Sequence, residues 1–185
     1  IRQHAEVALS RPEQTSTAEL ADVVLAEDLR LQKLVEDLLW LARGDENVLL
    51  TRRRPVDVDD VVLEELARLR TRSSLEVDSR KLSGGRTSGD PNLFRLLVRN
   101  LLDNAGRHAR TQLAVGLGED GNDVVLTVDD DGDGIAAEQR ERVFERFVRL
   151  DEARSRDAGG SGLGLSIAQE IVWAHDGTIM VKESP

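Results

Sequence analysis

No cysteine occurs among the 185 residues, so the chain has neither a disulfide framework nor a thiolate metal site. That absence suits the cytosol. No apolar run approaches the roughly 20 residues of a membrane span, and no signal peptide is visible, so the chain is expected to be soluble as it stands. Basic charge is in deficit. The 25 lysines and arginines face 35 acidic side chains, a formal charge of −10, which argues against nucleic acid as a partner. Lysine itself is scarce: Lys33, Lys81 and Lys182 are all there is, and none follows a glycine. A P-loop or a serine/threonine-kinase type of phosphate site is thereby excluded.

What is present centres on Asn100-Leu101-Leu102-Asp103-Asn104-Ala105-Gly106-Arg107-His108. Asp90-Pro91 supplies a capping acid and a first-turn proline, and Leu93, Leu96, Leu97, Leu101 and Leu102 follow at helical spacing, which predicts a helix over 91–108. Asn100 and Asn104 then share one face. Two amides on one face can ligate a hard cation or its waters, or they can simply be solvated. The choice rests on what lies downstream. Val124-Val125-Leu126-Thr127-Val128 reads as a strand and runs into Asp129-Asp130-Asp131-Gly132-Asp133-Gly134-Ile135. A second glycine cluster, Gly159-Gly160-Ser161-Gly162-Leu163-Gly164-Leu165, opens another helical run.

In chain order, the asparagine-bearing helix, the strand-end Asp-x-Gly-x-Gly, Phe144-Glu145-Arg146-Phe147 and the Gly-x-Gly-x-Gly before a helix resemble the N, G1, F and G2 boxes of sensor histidine kinases. Four ordered motifs are far more specific than one. The resemblance implies a catalytic domain of the fold shared with gyrase, Hsp90 and MutL, with ATP and Mg²⁺ as cofactors. It further implies transfer of the γ-phosphoryl group to a histidine, for relay to an aspartate in a response regulator receiver domain. On this reading the chain is the cytoplasmic portion of a membrane sensor and makes no direct membrane contact itself.

Toward the N-terminus, Ile1–Leu9 reads as the end of a helix broken by Ser10-Arg11-Pro12, and Thr15-Ser16-Thr17 offers cap hydroxyls for a second, long helix that Arg43-Gly44 ends. Val24, Leu31 and Leu38 repeat at seven residues, with Leu20, Leu34 and Leu41 as a companion series interrupted by Glu27. One seam cannot bury itself, so an antiparallel hairpin that pairs with a second copy into a four-helix bundle is expected; the alternative is packing on the chain's own second domain. The family carries its phosphorylated histidine here in a His-Glu-x-x-x-Pro setting. His4 is followed by Ala5-Glu6-Val7-Ala8, with no adjacent acid and no proline five residues on, so it reads as an ordinary surface histidine. No phosphoacceptor is then expected in this chain, and its first residue is expected to fall just after the family's acceptor motif.

The expected fold is α+β: a dimerisation hairpin over 1–47, then a two-layer α/β sandwich over 48–185, one mixed sheet covered by helices. Within the second part, 49–58 reads as a strand and 61–70 as a helix. Leu75-Glu76-Val77 and Arg86-Thr87 flank Ser83-Gly84-Gly85 as a short hairpin, strands run over 112–118 and 123–129, and a last helix covers 163–175. The family's sheet receives one further strand after Gly177–Glu183, so the sheet is expected to lack it here. An edge left open beside that last strand would be a pairing liability.

By resemblance, Asp130 accepts from the adenine amine, with Gly132 and Gly134 letting backbone approach the ring. Asp129, Asp131 and Asp133 read as solvated neighbours. A calcium loop is the alternative, weakened by the missing glutamate and by the preceding strand. Asn104 is expected to ligate Mg²⁺, with Asn100 supporting metal or phosphates. Arg107 and His108 take the places of nucleotide contacts, or are cations favoured by a helix C-terminus. Gly106, unusual for the family, is expected to loosen the helix end at about 1 kcal/mol against alanine. Gly160, Gly162 and Gly164, with Leu163 and Leu165, form a phosphate site at a helix start. The polar stretch 148–161, with Arg149, Asp151, Arg154, Ser155 and Arg156, suits a lid anchored by Phe144 and Phe147. His175 reads as structural. Two other functions compete: a gyrase/Hsp90/MutL-type ATPase, whose water-activating glutamate would stand where Asn100 is, and a non-catalytic dimer scaffold, which leaves the glycine clusters unexplained.

Overall fold

The computed structural model describes residues 16–44, 53–150 and 161–183. The chain divides into two compact units, Ile1–Ala42 and Arg43–Pro185. Among the described residues no helix is long and apolar enough to cross a membrane.

The first unit is described through α1 (Thr17–Gly44). Its start is set by a reciprocal cap. The Ser16 hydroxyl accepts from the Ala18 amide at 3.2 Å and the Glu19 carboxylate accepts from the Ser16 amide at 3.2 Å. Val24, Leu31 and Leu38 remain exposed along it, as do Leu25, Leu29, Val35 and Leu39. The helix expected over Ile1–Leu9, the break at Ser10–Pro12 and His4 lie outside the described residues.

The second unit runs β1 (Arg54–Asp57), α2 (Val58–Arg72), β2 (Glu76–Leu82), β3 (Arg86–Gly89), α3 (Pro91–His108), β4 (Gln112–Asp120), β5 (Asp123–Asp130), two 3₁₀ turns at Ala137–Gln139 and Arg142–Phe144, and α4 (Gly164–Ala174). The sheet is mixed, as expected, in the order β2-β4-β5: β2 runs parallel to β4, and β5 antiparallel to β4. Gly121, at φ +63°, opens the two-residue turn between β4 and β5, where a positive φ at the first position matches strand twist. Leu113, Val115 and Leu117 alternate inward from β4 and are buried. Over them lies α3, which packs against α2, α4 and β5. Leu66 of α2, Val98 and Leu102 of α3, and Ile167 and Ile171 of α4 complete this core, each at most 2% exposed.

The hairpin expected across Ser83-Gly84-Gly85 does not form. β3 instead pairs antiparallel with β1, Arg54 opposite Gly89 and Asp57 opposite Arg86, in a separate two-stranded ladder. Local bonds explain the divergence. The Ser83 amide donates to Leu117 O at 2.9 Å, keeping β2 on β4, while the Gly85 amide donates to Asp59 Oδ1 at 3.3 Å and Gly85 O accepts from Val58 N at 2.8 Å. The glycine turn therefore carries the chain from one ladder to another. Residues 177–183, expected to be a strand, have no ladder pairing in the structure.

A charged seam joins α2 to α3. Glu65, 3% exposed, accepts from Arg99 Nε and Nη2 at 3.1 and 3.2 Å and from Arg68 Nη1 at 2.7 Å. A buried carboxylate needs such partners, because an unpaired one is costly.

Candidate nucleotide site

Helix α3 begins as its sequence predicts: Asp90 Oδ1 accepts from the Asn92 amide at 2.8 Å, and Pro91 occupies the first turn. The Asp90 amide donates to His175 Nε2 at 3.4 Å, the His175 ring lies 4.5 Å from that of Phe94, and His175 Nδ1 donates to Ile171 O at 2.7 Å. His175 thus fastens the end of α4 to the start of α3, a structural role.

Farther along α3, Asn100 is buried at 2% exposure and lies against the first residue of α4: a Cβ built on Gly164 would sit 3.4 Å from Asn100 Oδ1. Its Nδ2 is buried without a hydrogen-bond partner. Such an orphan is uncommon and calls for an explanation. Asn104 is half-buried one turn on, and Arg107 and His108 are exposed at the helix end. The helix runs unbroken through Gly106 to His108. A Cβ at Gly106 would meet Leu69 Cδ1 at 3.5 Å and Leu75 Cδ1 at 3.9 Å, ordinary contact distances.

Asp130 closes β5, and its Oδ1 accepts from the Gly132 amide at 3.0 Å. Gly132 admits no side chain, since a Cβ there would collide with His108 O. Gly134 has φ +72°. Two of the three neighbouring acids differ from expectation. Asp131 is no solvated bystander: its carboxylate accepts from the Arg110 amide at 2.7 Å, the Thr111 amide at 3.0 Å and the Thr111 hydroxyl at 2.6 Å. These bonds, the Thr111 hydroxyl first, hold its carboxyl well below the usual carboxylate range. Asp133 forms an ion pair with Arg110. Asp129 is half-buried on β5. With Asp131 and Asp133 turned to Thr111 and Arg110, the loop is a clamp rather than a calcium cradle. Arg140 completes it, donating from Nε to Ile135 O at 3.1 Å.

The two phenylalanines part company. Phe144 is buried at 8%, whereas Phe147 is 60% exposed. Among the described residues Phe147 is held by its backbone. Phe147 adopts φ +67°, rare for a residue with a Cβ, and its amide donates to Gly162 O at 2.9 Å. Gly162 has φ +71°, and a Cβ there would lie 3.0 Å from Phe147 Cα. Leu163 is fully buried, Leu165 half-buried, and α4 starts at Gly164 with no side-chain cap. Gly160 and the polar residues Asp151, Arg154, Ser155 and Arg156 lie outside the described residues; Arg149 is exposed.

The structure therefore brings together, around α3, the G1 turn at its C-terminal end and the G2 helix start beside Asn100. Residues 89–185 match the model of the histidine kinase-, DNA gyrase B- and HSP90-like ATPases, and the chain belongs to that family. Within it, the chain is the ATP-binding catalytic portion of a sensor histidine kinase. It is 37% identical to the sensor-like histidine kinase SenX3 of Mycobacterium tuberculosis over 187 residues, covering 98% of this chain and 46% of that protein. The chain thus spans about half the length of the curated relatives it matches. Among solved structures, it resembles the mycobacterial sensor histidine kinase MprB at 32% identity with a TM-score of 0.61, covering 70% of this chain and 84% of that one. The ATP-binding domain of PrrB from Mycobacterium tuberculosis matches at 27% identity and TM-score 0.59, over 72% and 88% of the two chains.

Proposed function

We propose that the chain binds ATP with Mg²⁺ along α3 and presents the γ-phosphoryl group to a histidine, from which it passes to an aspartate of a response regulator receiver domain. The carrying observation is Asn100. Its Nδ2 is buried with no partner among the described residues and α4 starts at Gly164 without a side-chain cap, and an anionic phosphate chain can supply acceptors to both. An orphan N–H suits a phosphate oxygen better than a cation, so Asn100 supports the phosphates and Asn104, the more open amide, offers its oxygen to the metal. Magnesium keeps few protein ligands, which fits a single amide oxygen. When bound, it would neutralise negative charge on the phosphate chain.

At the other end of α3, Asp130 Oδ1 accepts from the Gly132 amide and Oδ2, which takes no hydrogen bond among the described residues, is offered to the adenine amine, with Gly132 and Gly134 along the ring and Arg107, His108 and Phe147 at the rim. Gly160, Gly162 and Gly164, with Leu163 and Leu165, close the phosphate side. The gyrase-type ATPase reading is disfavoured, because Asn100 stands where a water-activating carboxylate is required and an amide takes no proton. The exposed Val24, Leu31 and Leu38 support a homodimer through the N-terminal helices, on the cytoplasmic side of a membrane.

The chain should bind Mg²⁺-ATP yet not phosphorylate itself, since His4 has no adjacent acid to take its proton. Incubation with γ-labelled ATP tests this: no acid-labile label is expected on this chain alone, and transfer should appear on adding a helix that carries His-Glu-x-x-x-Pro. Acid-labile label that vanishes on His4→Gln would overturn the assignment of His4. For the base, Asp130→Asn should weaken ATP by about 1.5–3 kcal/mol and GTP by less. Equal losses would mean that Asp130 does not read adenine.

A further inference from the structure

Asp130 and His108 sit on different elements, β5 and the end of α3, joined by the chain segment Ala109-Arg110-Thr111 that returns into β4. Asp131, the residue just after β5, joins the two: its carboxylate meets the residues that follow α3. It takes the Arg110 amide at 2.7 Å, the Thr111 amide at 3.0 Å and the Thr111 hydroxyl at 2.6 Å, while its own amide donates to Gln112 O at 3.3 Å. The clamp pulls the G1 turn so close to the helix end that only glycine fits at 132 against His108 O. The Arg110–Asp133 ion pair closes the same contact from outside. Every bond in this set runs between the segment after α3 and the residues flanking Asp130.

We propose that Asp131 is a positioning residue for base recognition: by binding the backbone after α3 it sets the place of the Asp130 carboxylate relative to the nucleotide face of α3. This rests on the reading of Asp130 as the acceptor for the adenine amine. A carboxylate held in place rejects a base lacking the amine, whereas one free to shift accepts either. Selectivity, more than affinity, therefore reports on the clamp. Asparagine should replace Asp131 well, since its oxygen can accept the two amide N–H groups and its amino group can donate to the Thr111 hydroxyl.

The test is calorimetric titration with Mg²⁺-ATP and Mg²⁺-ITP, which differ at the 6-amino group, on wild type, Asp131→Ala, Asp131→Asn and Asp130→Asn. Wild type should prefer ATP by about tenfold or more, on the order expected for one hydrogen bond to a charged group. Asp131→Ala should reduce that preference to under about threefold by weakening ATP while ITP binding holds, as the phosphate contacts on α3 and α4 are untouched. Asp131→Asn should restore the preference to within about twofold of wild type. Should Asp131→Ala fail to fold, Thr111→Val, which removes only the hydroxyl bond, should still lower the preference. A preference intact in the Asp131 and Thr111 variants but lost in Asp130→Asn overturns this inference alone. Loss of ATP and ITP affinity in equal measure by a folded Asp131→Ala also overturns it. Absence of any preference in wild type overturns the Asp130 reading and this inference with it.

Discussion

Val24, Leu31 and Leu38 on α1 and Leu97, Val98 and Leu102 on α3 are the same class of side chain at helical spacing. The first three keep 42, 48 and 43% of their surface in solvent, and the second three keep 9, 1 and 2%. The difference lies in what surrounds each helix. α3 has a sheet beneath it and a helix on either side, so a stripe repeating at three and four residues is covered by the same chain. On α1 the seven-residue repeat keeps its seam on one line along the axis, the geometry of a partner helix running alongside. A periodic apolar stripe states that a cover is needed; its neighbours in the fold state what supplies it.

The contrast can be broken from either side. The largest effect is expected inside α3: Leu102→Ala should destabilise the second unit by about 2–5 kcal/mol in urea unfolding, the range for emptying a buried leucine site. Next comes its charged seam. Glu65→Ala should cost about 1–3 kcal/mol in the same measurement, by removing the carboxylate that accepts from Arg99 and Arg68, and Glu65→Gln should cost less. By contrast, Leu31→Glu with Leu38→Glu should change the unfolding of the second unit by no more than about 0.5 kcal/mol while halving the mass by light scattering. A wild-type chain already monomeric at high micromolar concentration would sink the bundle. The smallest effect has the opposite sign. Gly106→Ala should stabilise the second unit by up to about 1 kcal/mol, since a methyl meets Leu69 and Leu75 at ordinary distances and alanine favours the helix. Asp131 adds a pH signature. Its folded carboxyl titrates below the unfolded value of about 3.9, so its contribution is complete above that value and is lost as the pH falls further. The stability difference between wild type and Asp131→Asn should shrink over that acid range.

Much of this fold was legible because its signals are local. Asp90-Pro91 marks the start of α3 through bonds that residues make with near neighbours. The strands β4 and β5 and the three helices of the second unit followed from periodicity with cap signals, and the mixed sheet from the family resemblance. The turn at Ser83-Gly84-Gly85 misled for a physical reason: glycine permits a reversal, but which strands then pair depends on Leu117 and Asp59, far along the chain. The same holds at the site. Asn100, Asn104 and Asp130 were singled out by motif spacing, whereas the engagement of Asp131 with Thr111 and of Glu65 with Arg99 depends on pairings that only the folded chain creates. Phe147 was expected to act through its ring and instead acts through its backbone, because its left-handed conformation turns the ring to solvent.

That backbone contact has a consequence for variation among relatives. The Phe147 amide bond to Gly162 O joins the two ends of the stretch 148–161, where both residues hold left-handed conformations. Loop-closure cost rises slowly, by about 0.6 kcal/mol for each doubling of length. With its ends joined by that one knot, the stretch should tolerate changes of length and sequence while Asn100, Asp130 and the start of α4 keep their places. Differences in nucleotide turnover between otherwise similar chains should therefore concentrate there, leaving the scaffold on either side of the knot unchanged.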